Sequence, residues 1–110
     1  MPERTPGLYL PERYLETVKR LLQERVPDAE VWAYGSRITG AAHAASDLDL
    51  VLRTPDRLGE QTPALSELRQ ALVESNLPIR VDVTDWARIP ERFHREIERR
   101  HVVVQRARHP

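Results

Sequence analysis

The sequence predicts a small α/β domain, one sheet covered by helices, in the order α-β-α-β-α-β-α-β. Three observations carry that expectation. Polar and apolar residues alternate at 47–53 and 79–84, the period of a half-buried strand. Apolar residues recur every three or four positions in the stretches around them, the period of a helix. Prolines and glycines (Pro27, Gly35, Pro78, Pro90) fall at the joints between these patterns. Strand and helix signals alternating over 110 residues suit one compact domain over 1–110, with one modest core.

Residues 1–9 hold two prolines and a glycine and are expected to be irregular or frayed. From Pro11 the pattern turns helical: Tyr14, Leu15, Val18, Leu21, Leu22 and Val26 share one face. Pro11 fits the first turn, where its missing N–H costs nothing, and Pro27 stops the helix. "AEVWAY" (29–34) reads as a strand ending at Gly35. The small, polar residues after it hold a short helix and then a loop. "DLDLVLR" (47–53) puts Leu48, Leu50 and Leu52 on one face and Asp47, Asp49 and Val51 on the other. Residues 54–62 form a loop, and Thr62-Pro63 offers a cap and first turn to a helix striped by Leu65, Leu68 and Leu72. In "IRVDVT" (79–84), Ile79, Val81 and Val83 oppose Arg80, Asp82 and Thr84. Residues 90–100 are a charged helix with a thin stripe, Phe93 and Ile97. "VVVQ" (102–105) is the last strand, and 106–110 are irregular.

Composition narrows the functional classes. Seventeen basic and seventeen acidic side chains give a formal charge of zero, which argues against a nucleic-acid coat or a polybasic membrane anchor. There is no cysteine, hence no disulfide framework and no thiolate metal site. No apolar run approaches the ~20 residues of a membrane span, and "MPERTPGLYL" lacks a signal-peptide core. A cytoplasmic protein is expected. The four histidines have no zinc-site spacing, and the six aromatic residues are too few to single out a base-stacking platform. Trp32 is read as a packing residue or part of a partner surface, and Trp86 as a cover for the sheet edge.

The chemistry-bearing residues are carboxylates. Asp47 and Asp49, two apart in a strand, project to one face with backbones roughly 7 Å apart. Oxygen-only ligands suit Mg²⁺ or Mn²⁺. Asp82 lies on the polar face of another strand, and if the two strands are close, three acids meet at one edge. Such like charges repel unless metal is present, which is the chemistry of a two-metal phosphoryl- or nucleotidyl-transfer site. Gly35 directly after a strand allows close backbone approach to a ligand. Following N–H groups and the Ser36 hydroxyl can hold phosphate oxygens. Arg37 has two readings: a phosphate-directed fork, or a brace for its own loop.

Gly35-Ser36, then ten residues, then Asp47-x-Asp49 resembles the signature of the nucleotidyltransferase superfamily that includes DNA polymerase β. "GSRITG", "SDLDLVL" and "RVDVTDW" are similar to the minimal nucleotidyltransferases, the MNT family, over about Val31 to Val104. The matching positions are Gly35, Ser36, Arg37, Gly40, Ser46, Asp47, Asp49 and Asp82. The resemblance implies one mixed sheet and a metal-dependent transfer of a nucleoside monophosphate. Gly35 and Ser36, with Arg37 beside them, would bind the nucleotide's phosphates. Asp47, Asp49 and Asp82 would hold two Mg²⁺ (or Mn²⁺) ions, with Asp82 beside the attacking hydroxyl. It also implies ATP as substrate and a helical HEPN-type partner, either a toxin neutralised by adenylylation of a tyrosine or a substrate-binding subunit. The other reading is a non-catalytic antitoxin that occludes its partner. Larger relatives carry an extra helical acceptor domain for which this length leaves no room, so the acceptor is expected to dock near the acids. Arg53 and Arg80 are the candidate contacts.

Overall fold

The computed structural model describes residues 7–108. In chain order these form α1 (Glu12–Arg25), β1 (Glu30–Tyr34), α2 (Ser36–Thr39), β2 (Leu48–Arg53), α3 (Leu65–Glu74), β3 (Val81–Asp85), a 3₁₀ turn (Trp86–Arg88), α4 (Glu91–Arg99) and β4 (Val102–Gln105). The predicted order is found, with the 3₁₀ turn added. The strands form one sheet in the order β3-β2-β1-β4. Strand β1 is antiparallel to β2 and β4, while β2 and β3 are parallel, so the sheet is mixed. A parallel pair needs a long crossover, and α3 with its flanking loops supplies it. Among the described residues no helix is long and apolar enough to cross a membrane.

The two faces of the sheet have different covers. Leu48, Leu50 and Leu52 of β2, with Val31, Ala33 and Val83, join the stripes of α1 and α3 in the main core. Fully burying one such leucine contributes about 1.5–3 kcal/mol. The opposite face carries a smaller cluster of Trp32, Val51, Trp86 and Ile97. Val51, expected on a polar face with the acids, is fully buried there, because α4 and the 3₁₀ turn cover that part of the sheet.

Trp32 and Trp86 are both core residues, packed edge to face with ring centroids 5.5 Å apart. His101 stacks on Trp32 at 3.8 Å, and His94 stacks on Trp86 at 3.9 Å. Each imidazole also donates to a backbone carbonyl, His94 to Trp86 (2.8 Å) and His101 to Ile97 (2.9 Å). Two rings therefore clamp α4 to the sheet where a single buried isoleucine would hold it weakly. The Arg53 guanidinium lies over both indoles, 4.0 Å from Trp32 and 4.7 Å from Trp86, and pairs with Glu30.

Several boundaries move for identifiable reasons. Residues 7–10 are irregular but not frayed: Leu8 and Leu10 are buried in the main core, and the Tyr9 N–H donates to the Arg37 carbonyl at 2.7 Å. Residues 1–6 and 109–110 lie outside the described residues. Pro11 stands at the cap position of α1 rather than inside its first turn. Strand β3 starts at Val81 and runs on to Asp85. Asp47 lies just ahead of β2. Helix α3 begins at Leu65 behind Ala64, whose φ of 67° is left-handed, so Thr62 is not its cap. The Thr62 N–H instead donates to the Asp85 carboxylate, which also accepts from Ala87 N–H (3.3 Å) and caps the 3₁₀ turn.

Strand β3 is an edge strand. The Arg80 carbonyl accepts from Leu48 N–H (3.0 Å) and so faces β2. Residues alternate along the strand, so the Val83 carbonyl faces outward. There Arg69 of α3 donates to it through Nε (3.3 Å) and Nη2 (2.8 Å).

Asp85 is only 2% exposed, so its two backbone partners have little water to replace it. Asp85→Ala is expected to lower unfolding free energy by about 2–3 kcal/mol, the cost of losing hydrogen bonds to a charged group and leaving a buried donor unpaired. Urea unfolding checks this. Asp85→Asn, which keeps one acceptor oxygen, is expected to lose less.

Candidate active site

The strand registers build the site. Tyr34 of β1 pairs with Asp49 of β2, and Asp49 pairs with Asp82 of β3. One row across three strands therefore reads Tyr34, Asp49, Asp82. Paired residues in a sheet point to the same face, and here that face is opposite the leucines. The Leu48 N–H to Arg80 carbonyl bond fixes the start of β2 against the residue before β3. The two acids are thus set in register by backbone hydrogen bonds.

Gly35 follows the row directly, with φ 81° and ψ −151°, a backbone state that L side chains rarely adopt. A Cβ at this position would fall 2.5 Å from Oδ2 of Asp49. Strand end and carboxylate are in contact with no room for a side chain between them. Ser36 opens α2 immediately afterwards and is half-buried.

The loop carrying Asp47 is held by two residues. Arg37 is 4% exposed, and its guanidinium donates to the carbonyls of Tyr9 (3.0 Å), Ala44 (3.3 Å) and Ser46 (2.8 Å). Of its two readings, the brace is the one its contacts describe. The Ser46 hydroxyl accepts from His43 N–H (2.9 Å), and Ser46 N–H donates to the His43 carbonyl (3.0 Å), closing the turn before Asp47.

Electrostatics mark the row as crowded with negative charge. Asp49 is held above the ordinary aspartate value, first by burial, then by Asp82, then by Asp47. Tyr34 is held above the ordinary phenol value by burial and by Asp49 and Asp82, with its hydrogen bond to Thr84 acting the other way. The Tyr34 and Thr84 hydroxyls share a hydrogen bond at 3.3 Å, and the Thr84 hydroxyl also lies 3.4 Å from the Leu50 carbonyl. Tyr34 remains a neutral phenol.

Among the described residues, no three His, Asp or Glu side chains come together tightly enough to hold a metal ion by themselves. Asp49 and Asp82 are register partners, while Asp47 lies just ahead of β2. The donor set still fits a hard divalent cation. Mg²⁺ commonly takes only one or two carboxylates and completes its shell with water and substrate phosphate. The raised Asp49 shows the charge that such a cation would neutralise.

Tyr34 belongs to the row and Thr84 lies on the same face one pair further along, neither having been singled out from sequence. Tyr34 precedes Gly35, and that adjacency to a strand-ending glycine was the available signal. Arg53, expected to meet a partner, is taken up by Glu30 and the two indoles. Arg80 is exposed beside Asp82.

A mixed sheet with paired acids beside a strand-ending glycine defines a class, and the comparisons agree with it. The family described as nucleotidyltransferase domain matches residues 15–105, and the chain belongs to that family. Its chemistry is nucleotidyl transfer. A particular relative is the probable protein adenylyltransferase MntA of Haemophilus influenzae (strain ATCC 51907 / DSM 11121 / KW20 / Rd), 45% identical over 91 residues, 83% of this chain and 78% of that protein. The fold also resembles a crystal structure of a toxin-antitoxin with AMP-PNP, at TM-score 0.66 and 20% identity, over 86% of this chain and 74% of that one.

The raised carboxyl of Asp49 stabilises the fold in its protonated form. That contribution is present below the ordinary aspartate value and is lost as pH rises through the raised one. With divalent cations removed, Asp49→Asn is therefore expected to melt above wild type at neutral pH. The margin should close as pH falls below the ordinary aspartate range. Thermal unfolding in a chelator across that range checks it.

Proposed function

We propose that this protein transfers AMP from ATP to a tyrosine hydroxyl on a helical HEPN-type partner toxin, and acts in the cytoplasm as that toxin's antitoxin. The observation that carries this reading is the register pair Asp49–Asp82 with the Gly35 backbone pressed against Asp49. The description of the H. influenzae relative as a probable protein adenylyltransferase supports the choice of reaction. The toxin-antitoxin in the structural neighbour supports the choice of partner.

In this reading Gly35 lets the triphosphate approach the backbone, and the Ser36 hydroxyl donates to its terminal phosphates. Asp47, Asp49 and Asp82 hold two divalent ions, Mg²⁺ or Mn²⁺. When bound, these supply charge neutralisation and make the attacking hydroxyl more acidic. Asp82, on the edge strand, orients the acceptor hydroxyl and takes its proton. The acceptor oxygen forms a bond to the α-phosphorus, the bond from that phosphorus to the bridging oxygen breaks, and pyrophosphate leaves. Arg37 contributes indirectly, by holding the loop that presents Asp47.

Labelled transfer tests the proposal. The protein, its genomic neighbour and α-labelled ATP with Mg²⁺ are expected to give a partner labelled on tyrosine, and chelation should abolish it. Asp47→Ala and Asp49→Ala are expected to lose transfer while remaining folded. Partner neutralisation without any label would instead establish occlusion.

Ser36→Ala is expected to behave differently. It removes one hydrogen bond to a charged group, worth about 1.5–3 kcal/mol, so transfer should fall roughly ten- to a few hundred-fold rather than vanish. An unchanged single-turnover rate would remove Ser36 from the site.

A further inference from the structure

A cleft of about 500 Å³ opens on the acid-bearing face of the sheet, between α2 and α4. Its walls are mainly apolar, with Tyr34, Ile38, Ile89, Phe93 and Ile97, and Gly35 lines it too. Clefts that take small organic ligands run from about 300 to 1,000 Å³ and share this mostly apolar lining with a few polar groups. Phe93 is the chain's one phenylalanine and is 42% exposed. The fold does not require it there, because α4 is fastened by buried Ile97 and by the stacks of His94 and His101 on the tryptophans. Arg92 lies 5.1 Å from the ring centroid and still leaves the ring accessible.

We infer that this cleft holds the nucleoside of the triphosphate, with the base against the Phe93 ring. The inference rests on the nucleotidyl-transfer reading and assigns the base a place in it. Two observations favour a nucleoside over the acceptor. Gly35, where that reading puts the phosphates, lines the cleft. Asp82, which the acceptor hydroxyl must reach, borders a different groove, between β3 and α3, with Arg69, Leu72, Arg80 and Val81. The glycine at the phosphate end and the carboxylate that accepts the proton therefore border different recesses. Every base offers a π-face to an aromatic ring, so Phe93 supplies affinity for an aromatic base whatever its edge pattern.

The test separates base from phosphate. Calorimetry with Mg²⁺ measures ATP and inorganic tripolyphosphate binding to the full chain, wild type and Phe93 variants. Phe93→Ala is expected to weaken ATP roughly 5- to 100-fold, the loss of one stacked base, and to leave tripolyphosphate unchanged. Phe93→Trp should restore ATP binding. Phe93→Leu, which keeps bulk without a ring and guards against a folding defect, should remain weak. ATP affinity unchanged in Phe93→Ala would overturn the inference, as would an equal loss of both ligands. Weakened partner binding with unchanged ATP would give the cleft to the partner and overturn it likewise. If wild type binds neither ATP nor tripolyphosphate, the nucleotidyl-transfer reading fails first and the inference falls with it.

Discussion

Asp49 and Asp82 repel each other, and the backbone does not let them separate. They are register partners on parallel strands whose start is pinned by the Leu48–Arg80 bond. The leucines of β2 are fully buried on the other face. A shift of one residue would turn those leucines out to the covering helix and the acids into the main core. Burial of the leucine face thus sets the position of the acids, and the like-charge cost is carried by the stability of the whole sheet. The strain shows where it can be relieved chemically, in a carboxyl held above its ordinary value.

The rest of the site is arranged around that pair. Gly35 brings the end of β1 to the Asp49 carboxylate, as only a residue without a side chain can. Arg37 gathers three carbonyls and holds the loop from which Asp47 projects. On the same face, α4 is fixed by two imidazole–indole stacks, which leaves its Phe93 free of packing duty. Residues two or more elements apart in sequence thereby line one surface.

What was legible in the sequence was local. Period-two runs with leucines on one face gave β2, period-three-and-four stripes gave α1 and α3, and prolines marked the stops. Gly35-Ser36 and Asp47-x-Asp49 could be read because their spacing lies within one strand–turn–strand unit. The pairing of Asp49 with Asp82 could not, because it depends on which strands are neighbours. Val51 illustrates the difficulty: its place in the alternation says polar face, and only the cover from α4 makes that face buried. Arg37, Arg53 and Asp85 are charged residues whose partners lie across the fold or across a loop. Their types said surface and their contacts say interior. Thr62-Pro63 is a good helix start locally, and it lost to the Asp85 carboxylate.

Arg69 has a consequence for how molecules of this protein meet one another. The sheet ends at β3, and an uncovered outer strand is a template on which a second chain can grow a ladder. The outward Val83 carbonyl already receives two guanidinium donors, in the place where an incoming strand would put its own N–H. The side chain acts as a terminating strand one residue long, and it carries a positive charge that repels another copy's arginine. Strand addition is thereby disfavoured at the middle of β3.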